Sequence, residues 1–146
     1  MRNISAKEAI EKVCSYFAER DAYRLVIVYG SAAKADFKAA SDVDVAVAGE
    51  GLFERMTLLE VQGELSAILG RPVDLIDLNT VEGLILREVV TGGVRVKTDP
   101  ELYVRFHTKV LTYREDFLPL KRAMQDARIE RFIHGQGHSQ GKAGIA

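Results

Sequence analysis

Tryptophan is missing from the 146 residues, cysteine occurs once and proline three times. A single cysteine excludes an intrachain disulfide framework, so a packed core has to hold the fold, as expected of a protein kept in a reducing compartment. No apolar run approaches the roughly 20 residues that a membrane-spanning helix needs. The opening Met1-Arg2-Asn3-Ile4-Ser5 leads straight into a charged amphipathic pattern without the apolar stretch of a secretory leader, which sets the expectation of a cytoplasmic protein. Nor is there an excess of charge of either sign. Lys and Arg number 20 against 21 Asp and Glu, a formal net charge of -1, so nothing global pulls the chain toward a long nucleic acid, whose phosphates need many basic contacts.

With 47% hydrophobic and 28% charged residues the composition is that of an ordinary globular protein, long enough to bury about two-thirds of its unfolded surface. One domain is expected over residues 1–134. The glycine-rich polar segment 135–146 is expected to be a disordered tail.

The informative stretch runs from Leu25 to Val47. Leu25-Val26-Ile27-Val28-Tyr29 is short and β-branched, the pattern of a buried strand, and it ends at Gly30, which tolerates backbone angles closed to other residues. Ala32-Ala33-Lys34-Ala35 favours helix, so the N–H groups of Gly30 and Ser31 are expected to open a helical turn whose unpaired donors attract phosphate. Residues 42–47 then alternate. Side chains of a strand alternate faces, so Asp42, Asp44 and Ala46 share one face and Val43, Val45 and Val47 the other, with the valines inward. Two carboxylates one pleat apart repel unless a cation lies between them, and such hard oxygen donors suit magnesium or manganese. Asp-x-Asp alone marks many exposed strand faces, and Gly-Ser alone marks any turn. The joint spacing is what points to chemistry.

Around this stretch the chain reads as scaffold. Ser5-Ala6-Lys7-Glu8 has the form of a capping box, followed by Ile10, Val13, Cys14 and Phe17 on one face of a helix to about Arg20, with Cys14 a small buried hydrophobe. Leu52 to Leu69 carries Met56, Leu59, Leu65 and Ile68 at helical spacing and is expected to cross the back of the sheet. In Pro72-Val73-Asp74-Leu75-Ile76-Asp77-Leu78 a strand puts Asp74 opposite Val73 and Leu75, free to join Asp42 and Asp44. Asp77 is the competing acid, and its place at the strand end suits a turn former or cap. A helix from about Asn79 to Val90, a strand Val94-Arg95-Val96-Lys97, and a long helix started by Asp99-Pro100 with a Leu102, Phe106, Val110, Tyr113 and Phe117 stripe complete the sheet. Pro119 marks a break before Leu120, Met124, Ile129, Phe132 and Ile133, which pack on the preceding helix or meet a partner. His107, His134 and His138 form no zinc-binding cluster.

Gly30-Ser31, about ten residues, then Asp42-Val43-Asp44 resembles the nucleotidyltransferase superfamily of DNA polymerase beta, and the small chain is most similar to its minimal nucleotidyltransferases, among them MntA-type antitoxins that partner HEPN toxins. The resemblance implies an α/β (α+β) fold, a small mixed sheet with helices packed on one face and C-terminal helices. It also implies a third carboxylate on a later strand, the position Asp74 fits. Two departures stand out. Lys34 occupies the place of arginine in a Gly-Ser-x-Ala-Arg-Gly run, and Ala35 that of the glycine after it, so phosphate would be held by a point charge with less orientational control.

What the resemblance implies chemically is AMP transfer from ATP to a hydroxyl, with two Mg2+ ions held by Asp42, Asp44 and Asp74, and the phosphates held by Gly30, Ser31 and Lys34. A tyrosine of a HEPN toxin is the implied acceptor, in a type VII-like toxin–antitoxin pair. Neutralisation of the toxin by binding alone and adenylylation of a small molecule are the alternatives, and self-association of the chain stays open.

Overall fold

The computed structural model describes residues 4–34, 37–38 and 40–113. The chain divides into two compact units, Met1–Val110 and Leu111–Ala146. Most of the second unit lies outside the described residues. With it lie the expected break at Pro119, the apolar residues after it, His134, His138 and the glycine-rich tail.

In the first unit the order is α1 (Ala6–Phe17), β1 (Leu25–Tyr29), a 3-10 turn (Gly30–Ala33), β2 (Val43–Ala48), α2 (Arg55–Leu69), β3 (Val73–Asp77), a 3-10 turn (Leu78–Thr80), α3 (Gly83–Gly92) and β4 (Val94–Lys97). Residues 100–113 are helical, of which 100–110 belong to this unit and form α4. The four strands make one α/β sheet in the order β3-β2-β1-β4. β1 runs antiparallel to both β2 and β4, whereas β2 and β3 are parallel and need the α2 crossover between them.

Both faces of the sheet are covered. Val26, Val28, Val43, Val45, Val47, Val73 and Leu75 pack in one cluster with Val13 and Phe17 of α1 and Val61, Leu65 and Leu69 of α2. The opposite face carries Leu25, Ile27, Ala46 and Ala48 against Leu86, Val89 and Val90 of α3 and Leu102, Phe106 and Val110 of α4. The alternation of valine with aspartate and alanine in β2 therefore separates two packed layers, and the aspartate face is open only at its beginning, around Asp42 and Asp44.

The cap of α1 forms as its sequence predicts, with Ser5 Oγ accepting from Glu8 N at 3.1 Å. The helix stops at Phe17, short of Arg20. Cys14 corrects an expectation: its side chain is exposed, its thiol directed at Val96 O at 3.4 Å, because the buried stripe of α1 is Ala9, Val13 and Phe17. The stripe expected for α2 is also corrected. Met56, Leu59 and Ile68 are exposed, and only Leu65 of the named four is buried, since the helix starts at Arg55 and turns Val61, Leu65 and Leu69 inward. The Leu102, Phe106 and Val110 stripe of α4 is buried as expected, while Phe117 lies outside the described residues. No helix of the described residues is long and apolar enough to cross a membrane.

Asp77 plays the capping part. It is buried at the end of β3, where its carboxylate accepts from Asn79 N at 2.9 Å and Phe53 N at 3.0 Å, pinning the approach to α2 onto the strand. Asp77→Ala leaves two half-buried donors without their carboxylate, and a loss of about 1–3 kcal/mol in urea unfolding is expected. A loss below about 1 kcal/mol would show that these bonds are readily replaced by water.

Candidate active site

Strand register assembles the acidic residues. β2 and β3 pair with Asp44 opposite Asp74, and β1 and β2 pair with Tyr29 opposite Asp44. Adjacent strands lie about 4.8 Å apart, so Asp44 and Asp74 are neighbours on one face although the helix α2 separates them in the chain. Asp42, two residues before Asp44 and exposed, shares that face by strand periodicity. Asp74 sits in β3 between the buried Val73 and Leu75, as its pleat parity requires.

Gly30 closes the other side. Its φ of 72° is in the left-handed region, and a Cβ built on it would fall inside the van der Waals envelope of Asp44 Oδ2. The absence of a side chain thus serves both the turn and the close approach of a carboxylate. The Gly30–Ala33 turn is a single 3-10 segment that ends at Lys34 in extended conformation, rather than the start of a longer helix. Ala32 anchors it in the core, with Ser31 half-buried beside Gly30.

Electrostatics mark Asp44. Burial first, then the neighbouring Asp74, Asp42 and Glu88, push its carboxyl from the usual range up to about 7. Asp74 is raised too, by burial and then by Asp42. The Tyr29 hydroxyl is pushed well above its ordinary value by burial and by Asp44, Asp74 and Glu88, which keeps it protonated. The site therefore has more negative charge than its surroundings neutralise, and its donors are the hard oxygens that magnesium and manganese take. Among the described residues no three acidic, histidine or cysteine side chains converge as a finished metal cage. What the register supplies is adjacency: rotatable carboxylates on facing strand positions that a hard cation can draw together.

Two residues of this region escaped the sequence reading. Glu88 of α3 bears on both Asp44 and Tyr29, and its carboxylate lies 3.8 Å from Lys34 Nζ. Lys34 is thereby held beside the site by an exposed pair of small energetic weight. No local sequence signal links α3 to the Gly30–Ala33 turn, since their proximity arises from packing across the sheet. The other residue, Arg71, is taken up below.

The family model for polymerase beta, nucleotidyltransferase, matches residues 11–101, from within α1 through β4 to the start of α4. The chain belongs to this nucleotidyltransferase family. The protein adenylyltransferase MntA of Shewanella oneidensis is 28% identical over 83 residues, 55% of this chain and 60% of that relative's length. The chain thus spans less than two-thirds of the curated relative it matches. Solved structures share the nucleotidyltransferase fold: a toxin–antitoxin complex with AMP-PNP has a chain with TM-score 0.72 and 21% identity, over 82% of this chain and 98% of that one. A tri-AMPylated Shewanella oneidensis HEPN toxin in complex with an MNT antitoxin matches with TM-score 0.67 and 19% identity, over 85% of this chain and 98% of the other.

Proposed function

We propose that this nucleotidyltransferase moves AMP from ATP to a hydroxyl of a HEPN-family toxin, a tyrosine hydroxyl in the first instance, and so acts as the antitoxin of the pair. The observation that carries the reading is the register of Asp44 with Asp74, which places two carboxylates side by side with the glycine-serine turn against Asp44. The relatives support the choice of donor and acceptor: an adenylyltransferase by curated name, an antitoxin fold solved with AMP-PNP, and a HEPN toxin carrying AMP groups.

In this reading the triphosphate lies against the turn, received by the backbone donors and hydroxyl of Ser31, with Gly30 permitting close approach and Lys34 adding positive charge. Asp42, Asp44 and Asp74 would hold magnesium, which supplies neutralisation of the triphosphate and a more acidic acceptor hydroxyl. The acceptor oxygen forms a bond to the α-phosphorus, the bond to the pyrophosphate oxygen breaks, and the hydroxyl proton passes to a carboxylate oxygen of Asp74. Tyr29 stays protonated throughout and packs beside Asp44 without joining the proton transfer.

The test is intact mass. A HEPN protein encoded beside this chain, incubated with it, ATP and magnesium, should gain whole AMP units, and an Asp42→Asn/Asp74→Asn double variant should add none. Tight association of the two proteins with no mass gained would replace the enzyme by an antitoxin that acts through contact alone.

A further inference from the structure

We infer that Arg71 is a positioning residue that fixes the segment carrying Asp42 onto the strand carrying Asp74. The inference rests on the proposed nucleotidyl transfer for its functional consequence and on geometry for the clamp itself. Arg71 is 2% exposed, yet it holds a permanent charge. A guanidinium withdrawn from water ordinarily meets a carboxylate. Here the ion pairs among the described residues involve Lys12, Arg20, Arg24 and Lys34, and Arg71 is in none of them.

Its partners are backbone carbonyls instead. Nη1 donates to Lys38 O at 2.6 Å and to Ser41 O at 3.0 Å, and Nη2 donates to Ile4 O at 3.4 Å. The ring of Phe37 covers the guanidinium, with Cζ 4.5 Å from its centroid. Lys38 and Ser41 close a small turn of their own, with Ser41 N donating to Lys38 O at 3.0 Å and Lys38 N to Ser41 Oγ at 2.9 Å. That turn ends one residue before Asp42. On the other side, Arg71 is itself tethered: Gly70 caps α2 with a φ of 68°, Arg71 N donates to Ser66 O at 3.3 Å, and Pro72 O accepts from Val43 N at 3.0 Å. Three residues further along β3 stands Asp74.

One side chain therefore joins the entry to β2 with the entry to β3, the two points from which Asp42 and Asp74 reach the site. Nη1 spans Lys38 O and Ser41 O while Nη2 reaches Ile4 O, so one rigid plane holds three carbonyls of two segments at once, an orientation that a freely rotating lysine ammonium does not impose. The charge is spent on ordering backbone, and no substrate contact is assigned to it.

Hydrogen–deuterium exchange and AMP transfer, read on Arg71→Met and Arg71→Lys, separate the possibilities. In Arg71→Met the amides of residues 38 and 41 should exchange at least tenfold faster while those of β1 stay unchanged. The transfer rate at saturating ATP should fall at least tenfold, with KM for ATP moving less than threefold. Arg71→Lys should recover only a minor part of the rate. Phe37→Ala, which uncovers the guanidinium and removes a half-buried ring from the margin of the core while leaving every bond of Arg71 in place, should loosen the same amides several-fold and serves if Arg71→Met does not fold. Unchanged exchange at residues 38 and 41 in Arg71→Met, or in Phe37→Ala where that variant has to stand in, overturns the clamp. Loosened amides with a wild-type transfer rate overturn the positioning role. A wild-type protein that transfers no AMP refutes the proposed reaction instead, and exchange still decides the clamp.

Discussion

Asp44→Asn is expected to abolish AMP transfer and, in the absence of divalent cations, to make the protein more stable than the wild type at pH 8. Loss of an outer contact to a metal site costs up to about 100-fold in activity, so removal of a carboxylate at the centre of the cluster should exceed that. The stability gain follows from the raised carboxyl. The fold holds the Asp44 proton up to about pH 7, whereas the unfolded chain releases it at the ordinary aspartate value of 3.8. The contribution of the protonated form is therefore fully present below the unfolded value and is lost as pH rises to about 7. Asparagine has the same shape and never acquires the charge. Once solvent screening of a half-buried group is allowed for, the gain at pH 8 should be on the order of 1–2 kcal/mol, and it should shrink toward zero as pH falls to 4. Chemical denaturation in a chelating buffer across that range reads both ends. A variant that is less stable than wild type at pH 8 would mean that the charge at Asp44 is already compensated.

Gly30→Ala carries the second large effect. An alanine forced to a positive φ costs roughly 1–2 kcal/mol of backbone strain. The added Cβ also meets Asp44 Oδ2, and the end of a side chain is the part that can yield. The fold should therefore survive with a modest loss of stability, while the carboxylate is displaced from its place beside the turn. Transfer is expected to fall by about 100-fold, the scale on which misplacement by an ångström acts. Near-normal transfer in Gly30→Ala would mean that the proximity of Gly30 and Asp44 has no bearing on the chemistry. Nucleotide binding, followed by titration with a non-hydrolysable ATP analogue, should weaken as well, because the same methyl group narrows the approach to Ser31.

What could be read in the sequence is what obeys a short period. Asp42, Asp44 and Asp74 were placed on one face by a repeat of two, and the parallel register of β2 and β3 set Asp44 opposite Asp74 as that parity requires. Gly30 and Ser31 were legible because a β-branched run stops there. Helical faces were less secure. The Leu52 to Leu69 stretch has apolar residues on more than one side, and only the sheet decides that Val61, Leu65 and Leu69 face inward while Met56 and Leu59 do not. Cys14 failed for the same reason, being one residue past the buried Val13. Glu88 and Arg71 had no local signature at all. Each acts on a segment far away in the chain, Glu88 on Asp44 and Arg71 on Lys38, Ser41 and Ile4.

The parallel pairing of β2 with β3 also has a bearing on when the site comes into being. Asp44 and Asp74 are 30 positions apart (74 − 44), so they meet only after the crossover through α2 has closed, a contact of long sequence separation and hence a slow one to form. During synthesis, residues emerge at about 5–20 per second, and the β1–β2 hairpin is complete well before β3 leaves the ribosome. A nascent chain thus carries Gly30, Ser31, Asp42 and Asp44 for a time with no third carboxylate and no Arg71 to order the segment before Asp42. The adjacency of Asp44 and Asp74 arises only with the docking of β3.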